Sequence, residues 1–419
     1  MEEAGYSFGE LGLISEQLKI LFLLTQDLES PSGLGRYGPL ARALALKGHN
    51  VRIASLHSNW ETLSKRKFIT DGVEVEYVAP MHIKKSENLK LYYSPFKLMM
   101  VSIRATWALM RASISSPVDI IHVGKPHPMN GIAGVFASKI LGARLCVDCD
   151  DYEAGSNRFD KLWQKKGVTF FEKRIPRIAR LVTTNTYFMK TKLLLWGCSP
   201  DKIMYLSNGV DIRRYNSPVP DEIFNIRSKL VLDNKQVVLY SGSLSLASHP
   251  VDLLLEAFVF VYKNYPDTVL LLVGGGEDYF LLKEKTKQLG IEQATIFIGR
   301  VQPSEIPKYF ALATVSVDPV NDNDSARGRS PLKLFESWAC GVPFVTAPVG
   351  DRQYILGEPP AGILAQRAGD PQSLAEAIEK ILVSQMLAHE LQELGTQRIA
   401  DYTWDRLATN LEQEYKQIL

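Results

Sequence analysis

Four cysteines in 419 residues are too few for a disulfide framework, which makes a reducing, cytoplasmic setting the natural one. Cys146 and Cys149 form a C-x-x-C, but no second pair completes a zinc site and residues 143–149 read as a buried strand. Neither a metal nor a redox centre is expected there. Charge of one sign is also missing. Lys and Arg number 48 against 46 Asp and Glu, a net +2 that gives no footing for nucleic acid. No apolar, uncharged run reaches the ~18 residues of a membrane span. The N-terminus has no basic region followed by an apolar one, so no secretion signal is expected, and residues 1–17 read as a loosely held leader. Internal repeats and low-complexity tracts are absent.

What is present is a soluble globular composition, 46% hydrophobic and 22% charged. The length favours two domains of about 200 residues. Lys19-Ile20-Leu21-Phe22-Leu23-Leu24 is a continuous apolar run, as in a strand buried on both faces of a parallel sheet. A loop with Ser32, Gly33 and Gly35 follows. Tyr37, Leu40, Ala41 and Leu44 then mark a helix stopped by Gly48, and residues 51–54 are the next strand. This is a βαβ unit with a glycine-bearing loop where doubly wound sheets bind ligands, although the G-x-G-x-x-G spacing is absent. Further strands at 119–123, 143–149 and 181–184 lead to His127, to the acidic run Asp150-Asp151-Tyr152-Glu153, and to the turn at 205–211. Residues 213–235 are polar and proline-bearing and read as a linker. The pattern then restarts: strands at 237–240, 269–273 and 295–299 run into Ser241-Gly242-Ser243, Gly274-Gly275-Gly276-Glu277 and Gly299-Arg300-Val301. Small-residue loops let backbone approach a ligand along one sheet edge, which marks a second nucleotide-binding α/β layer. Trp404, Leu407, Leu411, Tyr415 and Leu419 form an amphipathic helix long enough to cross back to the first domain.

The chain is organised around residues 330–343. Ser330 reads as an N-cap, Pro331 suits the first helical position, and Gly341 with Pro343 is a stop. A capping box would place Glu or Gln three residues on. Lys333 stands there instead, a cation at the positive end of a helix dipole, unfavourable unless an anion joins it. Glu336, one turn further, is placed to accept hydrogen bonds from a pair of hydroxyls. An anion at the helix start with a diol one turn deeper describes a nucleotide diphosphate and its ribose; a surface helix with solvated Lys and Glu is the plainer alternative.

Two basic segments interleave aromatics with cations. Residues 88–113 carry Tyr92, Tyr93, Phe96, Met99, Met100 and Trp107 beside Lys90, Lys97, Arg104 and Arg111. A second helix carries Lys161, Lys165, Lys166, Lys173, Arg174 and Arg177 with Trp163, Phe170 and Phe171. Such helices lie either on an anionic membrane surface or on the core with charged solvent edges, and the latter is favoured.

The two α/β layers and the Pro331-Leu332-Lys333-Leu334-Phe335-Glu336 helix resemble the GT-B glycosyltransferases, specifically glycosyltransferase family 4. The other matching pieces are Gly33-Leu34-Gly35-Arg36 with Gly48-His49, Ser207-Asn208-Gly209-Val210-Asp211, Gly274-Gly275-Gly276-Glu277 and Gly299-Arg300-Val301. The resemblance implies two doubly wound, Rossmann-like domains facing across a cleft. The expected acceptor-side domain is 18–214 and the nucleotide-sugar domain 215–402, with helix 403–419 packed back on the first. Glu336 would bind the ribose hydroxyls, Arg300 and Val301 would frame the base, and Ser330, Pro331, Leu332 and Lys333 would present the helix start to the diphosphate. Gly242, Ser243, Gly274 and Gly275 would line the donor, and Gly33 and Gly35 would let the first loop close on it. His127, Asp150 and Asp151 would face the transferred sugar and the acceptor. The family retains anomeric configuration without a metal or other cofactor, and the leaving diphosphate is the expected base.

Several positions depart from the pattern. The family's acidic residue eight before the helix glutamate is Gly328, for which Asp322, Asp324 or Arg327 are the nearby substitutes, and its Arg and Lys after the first C-domain strand are Ser243 and His249. Its His-Asp after the N-domain strand reads Cys149-Asp150 or Asp150-Asp151. The expected function is therefore retaining transfer of a hexose from a nucleotide-sugar, UDP ahead of GDP, to a polysaccharide, glycolipid or lipid-linked saccharide. A degenerate subunit that binds nucleotide or glycan for a partner, and a sugar-nucleotide epimerase, are the alternatives. No nucleic-acid partner is expected; a peripheral place at the inner face of the membrane stays open.

Overall fold

The computed structural model describes residues 17–86, 89–156, 162–215 and 219–419. Most of the leader and Lys161 therefore lie outside the described residues, and the side chains of Lys90 and Tyr92 are likewise not described. The first domain is built on an eight-stranded sheet in the order Ile203–Tyr205, Leu181–Thr184, Arg144–Cys149, Ile120–Gly124, Lys19–Leu24, Asn50–His57, Val73–Pro80 and Lys67–Thr70. All neighbours are parallel except the last pair. Strand 19–24 lies at its centre, and its apolar side chains face helices on both sides. Helices Pro95–Ser113, Pro128–Leu141 and Leu162–Ile178 cover one face. Helices Gly38–Leu46 and Trp404–Ile418 cover the other.

The second domain holds six parallel strands in the order Thr295–Gly299, Thr268–Val273, Gln236–Ser241, Val315–Val317, Phe344–Thr346 and Ile363–Leu364. Each sheet is a doubly wound α/β layer, the architecture that the resemblance implies. The carboxyl ends of the central strands carry the loops of interest, as crossover topology requires.

Helix 404–418 buries Trp404, Leu407, Leu411 and Tyr415 against the first domain. The Tyr415 hydroxyl meets His122 Nδ1 at 2.5 Å, and burial pushes the imidazole pKa down to about 4, so the ring is neutral and able to accept. Thr403 caps the helix by accepting from the Arg406 N–H.

Two readings need correction. Residues 213–235 are not a free linker, because they include helix Pro220–Lys229, whose Ile223 and Ile226 pack on the second-domain core. The polar residues that suggested a linker form its outer face. Ser330 is also not the N-cap. Helix Leu332–Ala339 starts one residue later, with Pro331 at the cap, and the buried Ser330 hydroxyl makes no capping bond. A proline in extended backbone at the cap needs no N–H, which allows the shift.

Candidate active site

The glycine turn of the first domain is helical rather than open: residues Gly33–Tyr37 form one wide turn leading straight into helix 38–46. Gly33 is needed because a Cβ there would run into the Asp27 carbonyl, and one at Gly35 would lie 2.5 Å from Leu332 Cδ1. The turn thus packs directly on the start of helix 332–339. Arg36, fully buried, holds it down. Its guanidinium grips Asp148 with two hydrogen bonds of 2.7 and 2.6 Å, and donates to Leu206 O, Ser207 O and Asn208 Oδ1. Asp148 also accepts from Tyr37 and Thr183, so this buried charge pair is fully hydrogen-bonded, the condition under which burial is tolerable. Asn208 in turn donates to the Ser330 carbonyl at 3.2 Å and ties the turn to the second domain.

Beside it, the ends of strands 120–124 and 144–149 bring together a group built around Lys125. Its ammonium lies 2.5 Å from Asp151, 2.8 Å from Glu153 and 3.6 Å from Asp150. Lys125 sits at φ 59, a left-handed conformation uncommon for a residue with a side chain. Burial opposes its charge, but Asp150, Asp151 and Glu153 overcome that and push its pKa well above the usual value. Burial also resists ionisation of Glu153, yet Lys125 and His127 hold its carboxyl well below the usual range. Asp150 behaves oppositely: burial, aided by Asp151 and Asp148, raises it to about 8 despite Lys125. One Asp150 oxygen has no hydrogen-bond partner. His127 stands at the N-cap position of helix 128–141 without a capping bond, and its Nε2 lies 3.1 Å from Glu153 Oε2. Glu172, raised to about 8 by burial and then by Glu153, accepts from the Glu153 and Ala154 N–H groups and fixes this loop. The structure thus brings His127, Asp150 and Asp151 into one group. The carboxylates are spaced closely enough to hold a metal ion, but the Lys125 ammonium already stands among them.

On the second domain, Lys333 is not solvated. Its Nζ lies 3.1 Å from Asp318 Oδ1, over the Tyr240 ring, and Arg352 takes the other Asp318 oxygen at 2.9 Å. Burial resists the Asp318 charge, but Lys333 and Arg352 hold its pKa well below the usual range. The anion at the helix start is therefore a side chain from the end of strand 315–317. Gly242, at φ 153, brings its backbone to this lysine, and a Cβ there would lie 3.2 Å from Lys333 Cε. Gly274 crowds the Gly242 carbonyl, while the Gly275 carbonyl accepts from Leu244 N and the Ser243 carbonyl from the Tyr240 hydroxyl. Glu336 accepts from the Tyr215 hydroxyl at 2.6 Å. Arg300 is exposed, whereas Val301 leans on the second-domain core.

The departures from the family pattern have local explanations. A Cβ at Gly328 would lie 3.0 Å from Tyr152 Cβ and 3.3 Å from Phe188 Cδ1, both in the first domain. The place of an acidic side chain is thus filled by the interdomain contact. Of the nearby substitutes, Asp322 pairs with Arg327 and Asp324 with Lys192. His249 does not stand in for a missing cation, since burial, with Lys333 and Arg329 close by, pushes its pKa well below the usual value. The domains are further latched by Asp351, which accepts from Tyr187 N and from the Tyr205 hydroxyl at 3.0 Å.

Sequence reasoning assigned no role to Lys125, Asp318 or Tyr215, and took Glu153 only as part of an acidic run. Each follows a strand or sits in a neighbouring loop, with no local spacing to flag it. Arg36 stood inside a quoted motif, yet only its fold-spanning contacts give it a task.

The description "Glycosyl transferases group 1" matches residues 222–398, and "Glycosyl transferase 4-like domain" matches residues 32–209. The spore coat protein SA of Bacillus subtilis is 24% identical, with 95% of this chain and 99% of that protein aligned. A GDP-mannose-dependent alpha-(1-6)-phosphatidylinositol monomannoside mannosyltransferase of Mycolicibacterium smegmatis is 27% identical over 61% of this chain and 65% of its own length. Among solved structures, Anabaena HepE in complex with UDP and glucose superposes with a TM-score of 0.70 at 19% identity, covering 96% of this chain and all of that one.

Proposed function

This chain belongs to the group 1, family 4-type glycosyltransferases of the GT-B fold, and from that premise we propose that it transfers a hexose with retention of anomeric configuration. The donor in this reading is a nucleotide-sugar, UDP-linked ahead of GDP-linked. The acceptor is a polysaccharide, glycolipid or lipid-linked saccharide. The observation that carries it is the start of helix 332–339, where Gly35, Gly242, Lys333 and Glu336 converge from both domains. Glu336, oriented by Tyr215, accepts from the ribose hydroxyls. The diphosphate meets Lys333 and the free N–H groups of the helix start, and Arg300 and Val301 frame the base. Lys333 exchanges part of its contact with Asp318 for the phosphate, while Arg352 keeps Asp318 compensated.

His127 and the Asp150–Asp151 loop take the sugar side, with Glu153 holding the imidazole in place. With Lys125 among the carboxylates, the positive charge a metal would bring is already supplied, which favours metal-independent transfer. The leaving diphosphate accepts the acceptor proton, so the protein's part is positioning and charge stabilisation. The donor base has support in two directions, since one relative is named as GDP-mannose-dependent and one structural neighbour holds UDP. Calorimetric titration with UDP, GDP and ADP, each with and without magnesium, tests it. Metal-independent binding of one nucleotide is the expected result, followed by product whose anomeric configuration, read by NMR, matches the donor. The filled space at Gly328 and the neutral His249 favour one second reading, a subunit that no longer transfers sugar. That reading predicts no binding of any of the three.

A further inference from the structure

We infer that the helical face of the first domain formed by helices 95–113, 128–141 and 162–178 is a docking surface for an anionic lipid bilayer. The three helices lie side by side, with helix 128–141 in the middle, and their inner sides are spent on the sheet through Ala105, Leu109, Ala133, Ala137 and Ile175. Their outer sides are apolar to an unusual degree. Phe96, Met100, Ile103 and Trp107 follow one another at helical spacing and all stand in solvent, Phe96 at 72% and Trp107 at 69%. Trp163 and Phe170 continue the exposed surface on helix 162–178. Large exposed apolar patches on soluble domains mark interaction sites.

Charge decides which partner fits. Lys97, Arg104 and Arg111 recur every seven residues beside the aromatic stripe, and all three are exposed. Helix 162–178 adds Lys165, Lys166, Lys173, Arg174 and Arg177, again exposed. Helices 95–113 and 128–141 contain no Asp or Glu, and the one carboxylate of helix 162–178, Glu172, is buried beneath the active-site loop. The opposite face of the same domain differs: helix 404–418 mixes Asp405, Glu412 and Glu414 with Arg406 and Lys416. A second copy of this chain docking by the same face would set cation against cation. Cations that reach lipid phosphates while rings enter the headgroup layer satisfy both features at once.

The surface is joined to the catalytic side. Helix 128–141 begins at His127, and Glu172 on helix 162–178 holds the Glu153 loop. A docked domain would therefore present its acceptor side toward the bilayer, a consequence that rests on the transferase reading, whereas the docking itself does not.

The test is flotation of the full-length protein with phosphatidylcholine vesicles, with and without phosphatidylglycerol. The expected result is binding to the anionic vesicles only, weakened by added salt, with a blue shift of tryptophan fluorescence. The pair Phe96→Ser with Trp107→Ser, and separately the triple Lys165→Gln, Lys166→Gln and Arg174→Gln, should each lower the bound fraction at least tenfold. These positions are exposed, so unchanged nucleotide titration and circular dichroism serve as the folding control. Absence of binding to anionic vesicles, or binding that both variants leave unchanged, overturns the inference. Concentration-dependent dimerisation that the aromatic pair abolishes, without vesicle binding, would assign the face to a second copy instead. Nucleotide titration and flotation read different surfaces, so either reading can fail without the other.

Discussion

The two walls of the cleft are organised in different ways. On the second domain one continuous segment, residues 330–343, places a cation and a carboxylate on one short helix, and neighbouring loops orient them through Asp318 and Tyr215. On the first domain the working group is assembled from two loops, each following one of two neighbouring strands. Lys125 follows one strand, Asp150, Asp151 and Glu153 follow the next, and His127 stands at the start of the helix between them. Compensation differs as well. Asp318 has two cations, so losing Lys333 leaves Arg352 in place. Lys125 alone faces Asp150 and Asp151, and His127 joins it only at Glu153.

That asymmetry gives the largest expected effect. Lys125→Ala leaves the buried Glu153 and the half-buried Asp151 without their ammonium, and breaking such a buried pair costs about 3–5 kcal/mol. Lys333→Ala should cost the fold roughly 1–3 kcal/mol, the loss of one charged hydrogen bond. Urea unfolding of both variants decides the point. Equal losses would mean that the two walls share one logic of compensation.

Ligand affinity sharpens the same contrast from the other side. Glu336→Ala should weaken UDP binding by about 1–3 kcal/mol, because a ribose diol is left without its acceptor. Lys333→Ala should cost more against UDP than against uridine, since the lysine is assigned to the diphosphate. Calorimetry with both ligands checks this, and an unchanged affinity for Glu336→Ala would remove that residue from the donor site.

The first wall resisted reading for a physical reason. The parallel strands were legible because runs such as Ile20 to Leu24 must be apolar on both faces. The helix at 332–339 was legible because caps, stops and dipoles act within a few residues, although Pro331 at the cap moved its start by one. Lys125 and Glu153 lie 28 residues apart and meet only because strands 120–124 and 144–149 are neighbours in the sheet. No local rule reports such a meeting. The edge strand 67–70 and its neighbour 73–80 were missed because their charge-bearing sequence gives no long apolar run.

A smaller effect lies in the pH dependence of stability. Asp150 has a folded pKa of about 8, above the ~3.9 of an unfolded aspartate. Between those values the folded chain binds the extra proton, so this residue's stabilisation is complete at low pH and is lost as pH rises toward 8. Glu172 acts in the same direction. Glu153, held low by Lys125, acts oppositely, and its contribution is lost as pH falls below the unfolded value. Asp150→Asn should therefore flatten the decline in stability between about pH 5 and 8, by up to ~1.4 kcal/mol per pH unit. Glu153→Gln should alter the acid limb and, by removing its push on Glu172, only the upper end of that window. Unfolding free energies at a series of pH values separate the two, and a slope untouched by Asp150→Asn would mean the carboxyl is ionised beside Lys125.

The smallest effect concerns the place where the walls touch. Gly328 has an ordinary helical φ of −81, so its lack of a side chain is not a matter of backbone strain. Its constraint is the first domain, where Tyr152 and Phe188 stand within 3.0 and 3.3 Å of a would-be Cβ. Gly328→Asp should therefore cost about 1 kcal/mol, the low end of overpacking, because the contact with Tyr152 Cβ is short by only a few tenths of an ångström. Tyr152→Gly in the same chain, which removes the Cβ in contact, should make Gly328→Asp cost less than it does alone, since the two positions share a contact and are not expected to add. If the double variant also raises transfer activity or tightens donor binding, the carboxylate has entered the donor site and Tyr152 is what excludes it. A smaller cost with no change in either would show that this cleft handles its sugar without an acidic group at that position.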